Sequence, residues 1–333
     1  MRFAVAVAVG IACGALSAET PEPYRHLAEL DDSFRFVVNA DPQMGPADSP
    51  HQIERDLNQL LRDFVRETNT MTPAPAFVLF NGDLVSFPRP EHFTSFTEIV
   101  QDLEPSVMLV HGNHDGRYPD TLFLDAQEAL SGFRGLHYAF DCGRWHFVVL
   151  PAPEMLPDRA GEQALIEWLD ADLEANAARP TMVFLHYHLL PMGLSQGEYY
   201  TLRMPFKKAL VDTIVRHGNV RYAISGHVHA GIQASIKSSW SHRDTVFLLA
   251  PSPVPPRNFG EEFDKFLEGD ARNEGYYLLV EIDGDNVRIV GRKTNHDATH
   301  VYPKQFRAFE MADDPRAFLR TGTLDANAEL HNG

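Results

Sequence analysis

Val107-Met108-Leu109-Val110-His111-Gly112-Asn113-His114-Asp115 joins a short apolar run to a cluster of side chains that bind metals or move protons. A run of four apolar residues ending at a Gly-containing turn reads as a buried strand. The same arrangement occurs four more times. Phe36-Val37-Val38-Asn39-Ala40 leads into Asp41-Pro42-Gln43, and Phe77-Val78-Leu79-Phe80 leads into Asn81-Gly82-Asp83. Met182-Val183-Phe184-Leu185 leads into His186-Tyr187-His188, and Tyr222-Ala223-Ile224 leads into Ser225-Gly226-His227-Val228-His229. Ligand sites of open α/β sheets lie beyond the carboxyl ends of the strands. Five strands that each deliver Asp, Asn, Gln or His there describe one site with room for two metal ions. Any one cluster alone has an ordinary reading as a turn or a loop; the ordered series does not.

Outward from these strands, the chain alternates. Apolar positions at Ile53, Leu57, Leu60, Leu61, Phe64 and Val65 have helical spacing and predict a helix over 51–68. Further helices are expected over 91–103, 122–130, 161–177 and 205–217, and a hairpin over 136–150 turns at Asp141-Cys142-Gly143-Arg144. Residues 19–33 read as an extended lead-in. After His229 the reading becomes a β meander, with strands over 232–236, 245–249, 275–282 and 286–291. Asp283-Gly284 marks a tight turn between the last two. The simplest architecture is an α/β four-layer sandwich, with two mixed β-sheets packed face to face and flanked by helices. The expected folded domain covers 34–295, with a C-terminal extension over 296–333. The stretch 251–274 is long for a structureless connection, which marks it as a functional or covering loop.

The 333 residues are 44 % hydrophobic and carry a formal charge of -17 without a long basic run. That balance supports a sizeable core and argues against a nucleic-acid or anionic membrane partner. An anionic substrate would need local cations, which bound metals supply. Arg2, the apolar stretch 3–16, and Ser17-Ala18 form the pattern of a secretory signal peptide over 1–18. A second reading makes Cys13 the lipidated residue of a lipoprotein signal. Cleavage after Ala18 leaves Cys142 alone, so the mature chain holds no internal disulfide, which fits a periplasmic or secreted enzyme. Cys142 reads as a structural thiol. No later segment is apolar enough for stable membrane insertion. Oligomeric state is left open by the sequence.

Two divalent ions a few ångströms apart need a bridging carboxylate flanked by further ligands. Asp83, after Gly82, is the natural bridge. Asp41 and Gln43 can clasp one ion, Asn113 offers an amide oxygen, and His186, His227 and His229 offer imidazoles. Mixed O and N donors without thiolate suit Mn, Fe or Zn rather than Ca. Either His186 or His188 can be the fourth-cluster ligand; His186 follows its strand directly.

The ordered motifs Asp-x-Gln, Gly-Asp, Gly-Asn-His-Asp, His and Gly-His-x-His resemble those of the calcineurin-like metallophosphoesterases over roughly 34–295. The resemblance implies that Asp41, Gln43, Asp83 and His229 hold one ion. It implies that Asp83, Asn113, His186 and His227 hold the other. It further implies in-line attack of a metal-bridging hydroxide on phosphorus, with His114 stabilising the transition state or protonating the leaving oxygen and Asp115 orienting His114. Most members have His at the position of Gln43. Ala40-Asp41-Pro42-Gln43 resembles the subgroup that includes the phosphatase with a calcineurin-like phosphoesterase domain. An Asp-x-Gln start also resembles manganese-dependent ADP-ribose and CDP-alcohol pyrophosphatases. The amide oxygen makes that position harder and favours Mn or Fe over Zn.

The expected substrate is a small phosphate monoester or diester, with a nucleotide-type pyrophosphate as the alternative. A non-catalytic relative that binds metal or phosphate is the rival class, which the complete ligand set disfavours. Arg257, Arg203, His188 and Tyr187 are the candidate substrate contacts. Phe259, Arg272, Tyr199 and Tyr200 are possible neighbours.

Overall fold

The computed structural model describes residues 19–48, 56–190, 202, 204–253 and 275–309. Its first element is a 3-10 helix, Glu22–Glu29, where the sequence predicts extended chain. Tyr24 and Leu27, three residues apart, share one buried face, and Tyr24 Oη donates to the Val107 carbonyl at 3.1 Å. The elements that follow are β1 (Ser33–Asn39), α1 (Leu57–Asn69), β2 (Phe77–Asn81), α2 (Pro90–Val100), β3 (Ser106–Val110) and α3 (Leu122–Ser131). The predicted hairpin is β4 (Tyr138–Cys142) with β5 (Trp145–Val149), followed by α4 (Arg159–Ala175), β6 (Thr181–Phe184) and α5 (Met204–Arg216). The last third holds β7 (Val220–Ala230), α6 (Ile232–Lys237), β8 (Trp240–His242), β9 (Thr245–Pro251), β10 (Tyr276–Asp283), β11 (Asn286–Lys293), β12 (His296–Val301) and β13 (Arg307–Ala308).

One sheet has the order β12-β11-β10-β1-β2-β3 and the other β13-β8-β9-β7-β6-β5-β4. Within them β1, β2 and β3 run parallel, as do β5, β6, β7 and β9. Contacts of Asp41 and Asn81 with His227 and Ile224 show that both parallel sets deliver their carboxyl ends to the same side of the sandwich. Alternation along each strand sorts its side chains between layers. Phe36 and Val38 face the other sheet, whereas Val37 packs toward α1 and α2. Met182 and Phe184 face inward, whereas Val183 packs toward α4 and α5. The inter-sheet core is aromatic: Phe36 stacks on Phe77 at 4.7 Å, and Phe140 stacks on Phe147 at 5.1 Å. This is the expected four-layer α/β sandwich. Cys142 lies buried in it, its thiol pushed up to about 12 by burial and then by Asp141.

Three expectations change. Residues 232–236 form α6 rather than a strand; Ile232 and Ile236 share one face under either periodicity, so the pattern cannot separate the two. The expected meander is divided, with β8 and β9 in the second sheet and β10 to β12 in the first. The sheets also continue past residue 295, because β12 pairs with β11 and β13 with β8.

Candidate metal centre

The five clusters converge where the two parallel sets end. Asp41 and Gln43 follow β1, Asp83 follows β2, Asn113 follows β3, His186 follows β6, and His227 and His229 lie in the last residues of β7. Ligand-type atoms of Asp83, His186 and His227 all lie within 4.8 Å of one another, and so do those of Asp41, Asp83 and His229. Asp83 belongs to both groups. His186 Nε2 is 3.2 Å from Asp83 Oδ1, 3.1 Å from Asn113 Oδ1 and 3.3 Å from His227 Nδ1. His229 Nε2 is 3.7 Å from Asp41 Oδ1 and 3.4 Å from the Gln43 amide. Two donor atoms on one first-row ion, each about 2.1 Å from it and at right angles, lie about 3 Å apart. These separations match that spacing.

The chain folds this way by accepting unusual backbone. Asp41, Gln43, Asp83, His227 and His229 all have positive φ, between 48° and 73°. Only two other described non-glycine residues do, Arg243 and Asn295. Left-handed backbone is costly for residues with a Cβ and clusters where function holds it. Two glycines allow the loops to touch. A Cβ on Gly82 would stand 2.3 Å from His186 Nδ1, and one on Gly112 would stand 2.1 Å from the Asp83 amide nitrogen.

Two carboxylates buried together need positive charge. Burial, opposed by His186 and reinforced by Asp83, pushes Asp41 up to about 8. Burial also acts to raise Asp83, but the charge and hydrogen bond of His186, with His114 and His227, hold it well below the usual carboxylate range. Burial pulls His186 down, yet Asp83 and then Asp41 outweigh it and hold the imidazole up to about 10. Asp41 Oδ2 and Gln43 Oε1 are buried acceptors without a donor. Two carboxylates buried side by side, orphaned lone pairs and convergent imidazoles fit divalent cations. The Gln43 Nε2 lies 2.9 Å from Asp83 Oδ2. Turning the amide over puts Oε1 there instead, where it could join Asp83 as a ligand.

The remaining predicted residues separate. His114 donates its backbone N–H to Asp83 Oδ1 at 2.9 Å, and its Nδ1–H donates to the Ser86 carbonyl at 2.8 Å. Asp115 follows His114 in the same loop. Its carboxylate accepts from the Gly112 and Val85 amides at 2.8 and 3.2 Å and so fixes the loop that carries Asn113 and His114. His188 is 4 % exposed, among Leu185, Leu189, Leu190 and Phe247, with its ring 6.2 Å from that of His227. Tyr187 lies against the site, its ring 4.4 Å from that of His227 and its Oη donating to Glu154 Oε1 at 2.7 Å. Arg257 and Arg203 lie outside the described residues, as do Phe259, Arg272, Tyr199 and Tyr200. Sequence reading missed Ser86 and Glu154. Ser86 acts through a backbone carbonyl, which any residue carries, and Glu154 sits in a short 3-10 turn, Pro153–Met155, with no motif around it.

Comparison with known proteins agrees with this geometry. The model of the calcineurin-like phosphoesterase family matches residues 34–231. Glycerophosphodiester phosphodiesterase GpdQ of Enterobacter lignolyticus (strain SCF1) is 28 % identical over 253 residues, covering 68 % of this chain and 87 % of that protein. 3',5'-Cyclic adenosine monophosphate phosphodiesterase CpdA of Haemophilus influenzae is 26 % identical, covering 67 % and 75 %. Serine/threonine-protein phosphatase CPPED1 of Danio rerio is 26 % identical, covering 60 % and 72 %. Among solved structures, GAP50, the anchor in the inner membrane complex of Plasmodium, matches with a TM-score of 0.55 at 12 % identity, over 89 % of this chain and 96 % of that one. That last likeness speaks to the fold alone. With five clusters in family order, a shared central carboxylate and the matching family model, the chain belongs to the calcineurin-like phosphoesterases, hydrolases of phosphoric ester bonds.

Proposed function

We propose that the chain hydrolyses a small phosphodiester with two divalent ions, Mn or Fe in preference to Zn. The observation that carries this reading is the pair of overlapping ligand groups that share Asp83. In it, Asp41, Gln43, Asp83 and His229 hold one ion, and Asp83, Asn113, His186 and His227 hold the other. Ions held by these residues would supply Lewis-acid polarisation of the phosphoryl oxygens and would lower the pKa of water at the site. Asp83 balances part of the charge of both. His114, with Nδ1–H committed to the Ser86 carbonyl, presents Nε2 to the substrate and delivers a proton there to the leaving oxygen. Asp115 positions that loop through two backbone amides. Tyr187, pinned by Glu154, walls the His227 side. The hard amide oxygen of Gln43 supports Mn or Fe. The relatives named for glycerophosphodiester and cyclic-nucleotide hydrolysis support a diester over a monoester.

Export is the reading that residues 2–18 support; they lie outside the described structure. No described helix is long and apolar enough to cross a membrane. The test is metal analysis joined to turnover. Protein loaded with Mn or Fe is expected to carry two ions per chain and to hydrolyse bis(p-nitrophenyl) phosphate faster than p-nitrophenyl phosphate. Less than one ion per chain and no hydrolysis of either ester would sink the proposal.

A further inference from the structure

Asn113, His186 and His227, the ligands that only the second ion of this reading uses, stand at three different strand ends. The segment Ala152-Pro153-Glu154 keeps those ends in register. Ala152 donates its backbone N–H to the His111 carbonyl at 3.0 Å, and the Glu154 carbonyl accepts from the Tyr118 N–H at 2.9 Å. These two bonds bracket the stretch 112–117, which carries Asn113 and His114. The Glu154 side chain reaches the other way. Its Oε1 accepts from the Tyr187 hydroxyl at 2.7 Å, the length of a charge-assisted bond. Tyr187 follows His186 in sequence, and its ring lies 4.4 Å from that of His227 and 5.6 Å from that of His186. One residue thus supports the surroundings of all three ligands.

The ligands of the first ion are held differently. Asp41 and Gln43 donate their backbone N–H groups to the Gly82 and Asp83 carbonyls at 3.1 and 2.9 Å, within the loops that follow β1 and β2. The support from Glu154 is therefore one-sided. The fold alone does not explain it. Glu154 Oε2 is buried with no hydrogen-bond partner among the described residues. A half-satisfied buried carboxylate costs stability, and an apolar side chain there would avoid the cost.

We infer that Glu154 is a positioning residue for the second ion, acting through Tyr187 on the imidazoles of His227 and His186. This rests on the two-ion reading above. An imidazole free to turn must be ordered when an ion binds, and a ring fixed against it removes that cost beforehand. Groups that orient metal ligands in this way typically contribute 10–100-fold to affinity.

Stepwise titration of the metal-free protein with Mn, followed by calorimetry, tests this. Wild type is expected to bind in two steps, and His227→Ala, which deletes a ligand, identifies the step that belongs to the second ion. Glu154→Ala and Tyr187→Phe should each weaken that step about tenfold and leave the other in place. Glu154→Gln, whose amide oxygen accepts the same hydrogen bond, should return the affinity close to that of wild type. Equal weakening of both steps, no change in either, or no rescue by Glu154→Gln overturns the inference. In each of those cases two ions bound by wild type leave the two-ion reading standing. A wild type that binds fewer than two overturns both.

Discussion

His146 and His186 are both buried imidazoles between two carboxylates, at opposite ends of neighbouring strands. At the amino end of β5, His146 bridges Asp141 through Nδ1 at 2.7 Å and Asp172 through Nε2 at 2.8 Å. All three residues lie in regular strands or helix, and Arg179 stands 3.4 Å from Asp141. Beyond the carboxyl end of β6, His186 Nε2 lies among Asp83, Asn113 and His227 at 3.1 to 3.3 Å, while its Nδ1–H is committed to the Asn81 carbonyl at 3.0 Å. A bridged proton satisfies the first group. The second gathers more lone pairs than protons, on backbone that few residues adopt willingly. Proximity of His to Asp therefore does not define a metal site; convergence of several acceptors on one volume from strained loops does.

The largest effect should come from the atom common to both halves of the site. Asp83→Asn is expected to lower turnover by more than about 10³-fold and to weaken both ions in a metal titration, whereas Asp41→Asn should weaken mainly one. Retained activity of Asp83→Asn at saturating Mn would assign the bridge elsewhere. His114→Ala should lower turnover by about 10²–10⁴-fold with metal content unchanged, and less for aryl than for alkyl leaving groups. Loss of metal on that change would move His114 among the ligands.

The structural histidine should behave differently. Burial lowers the His146 pKa, but the hydrogen bonds it donates to Asp141 and Asp172 outweigh burial and raise it overall. A raised folded value means that the bridge contributes fully below the unfolded histidine pKa of about 6.5 and is lost as pH rises through the folded value. Removing one member of a buried pair costs about 3 kcal/mol. His146→Ala should therefore lower Tm strongly at pH 6 and much less at high pH, with metal content intact. A pH-independent loss would mean that the imidazole contributes only packing.

The smallest effect concerns a third buried imidazole. Among the described residues, His111 has no hydrogen-bond partner on either ring nitrogen, and it packs edge-on to Phe123 at 5.0 Å. Burial, then His186, pushes it down to about 3, so it stays neutral. Replacing an unsatisfied buried polar group with an apolar one of similar size is neutral or stabilising. His111→Leu is expected to raise stability by about 1 kcal/mol, read as a small rise in Tm. A fall in Tm would show that the ring is satisfied in solution.

The strand ends and their clusters were legible because each ligand lies within a few residues of the apolar run that positions it. Asp41, Asp83, Asn113, His186, His227 and His229 all meet where the order of motifs implied. Two kinds of detail were not legible. Backbone carbonyls such as those of Ser86 and Asn81 act without any side-chain signature. Residues two apart on one segment, such as His186 and His188, look alike until the chain bends; His188 then turns into the apolar packing and its pKa falls well below the ordinary value through burial and the charge of Lys207. The strand His296–Val301 escaped for a related reason, since it is a polar edge strand that hydrophobic alternation does not reveal.

The two sheets are laced together at the site by contacts that involve no ion. Asn81 Nδ2 donates to the Ile224 carbonyl at 3.3 Å and His227 N donates to Asp41 Oδ1 at 2.8 Å, each from one sheet to the other, while Gly226 N donates to the His186 carbonyl at 2.9 Å within the second sheet. These ties keep the loops in register whatever fills the space between the carboxylates. Chelation should then disarm the enzyme without denaturing it, and returning the cation should restore it in place. Supply of the ion from the surroundings becomes a throttle on turnover, separate from how much protein is made.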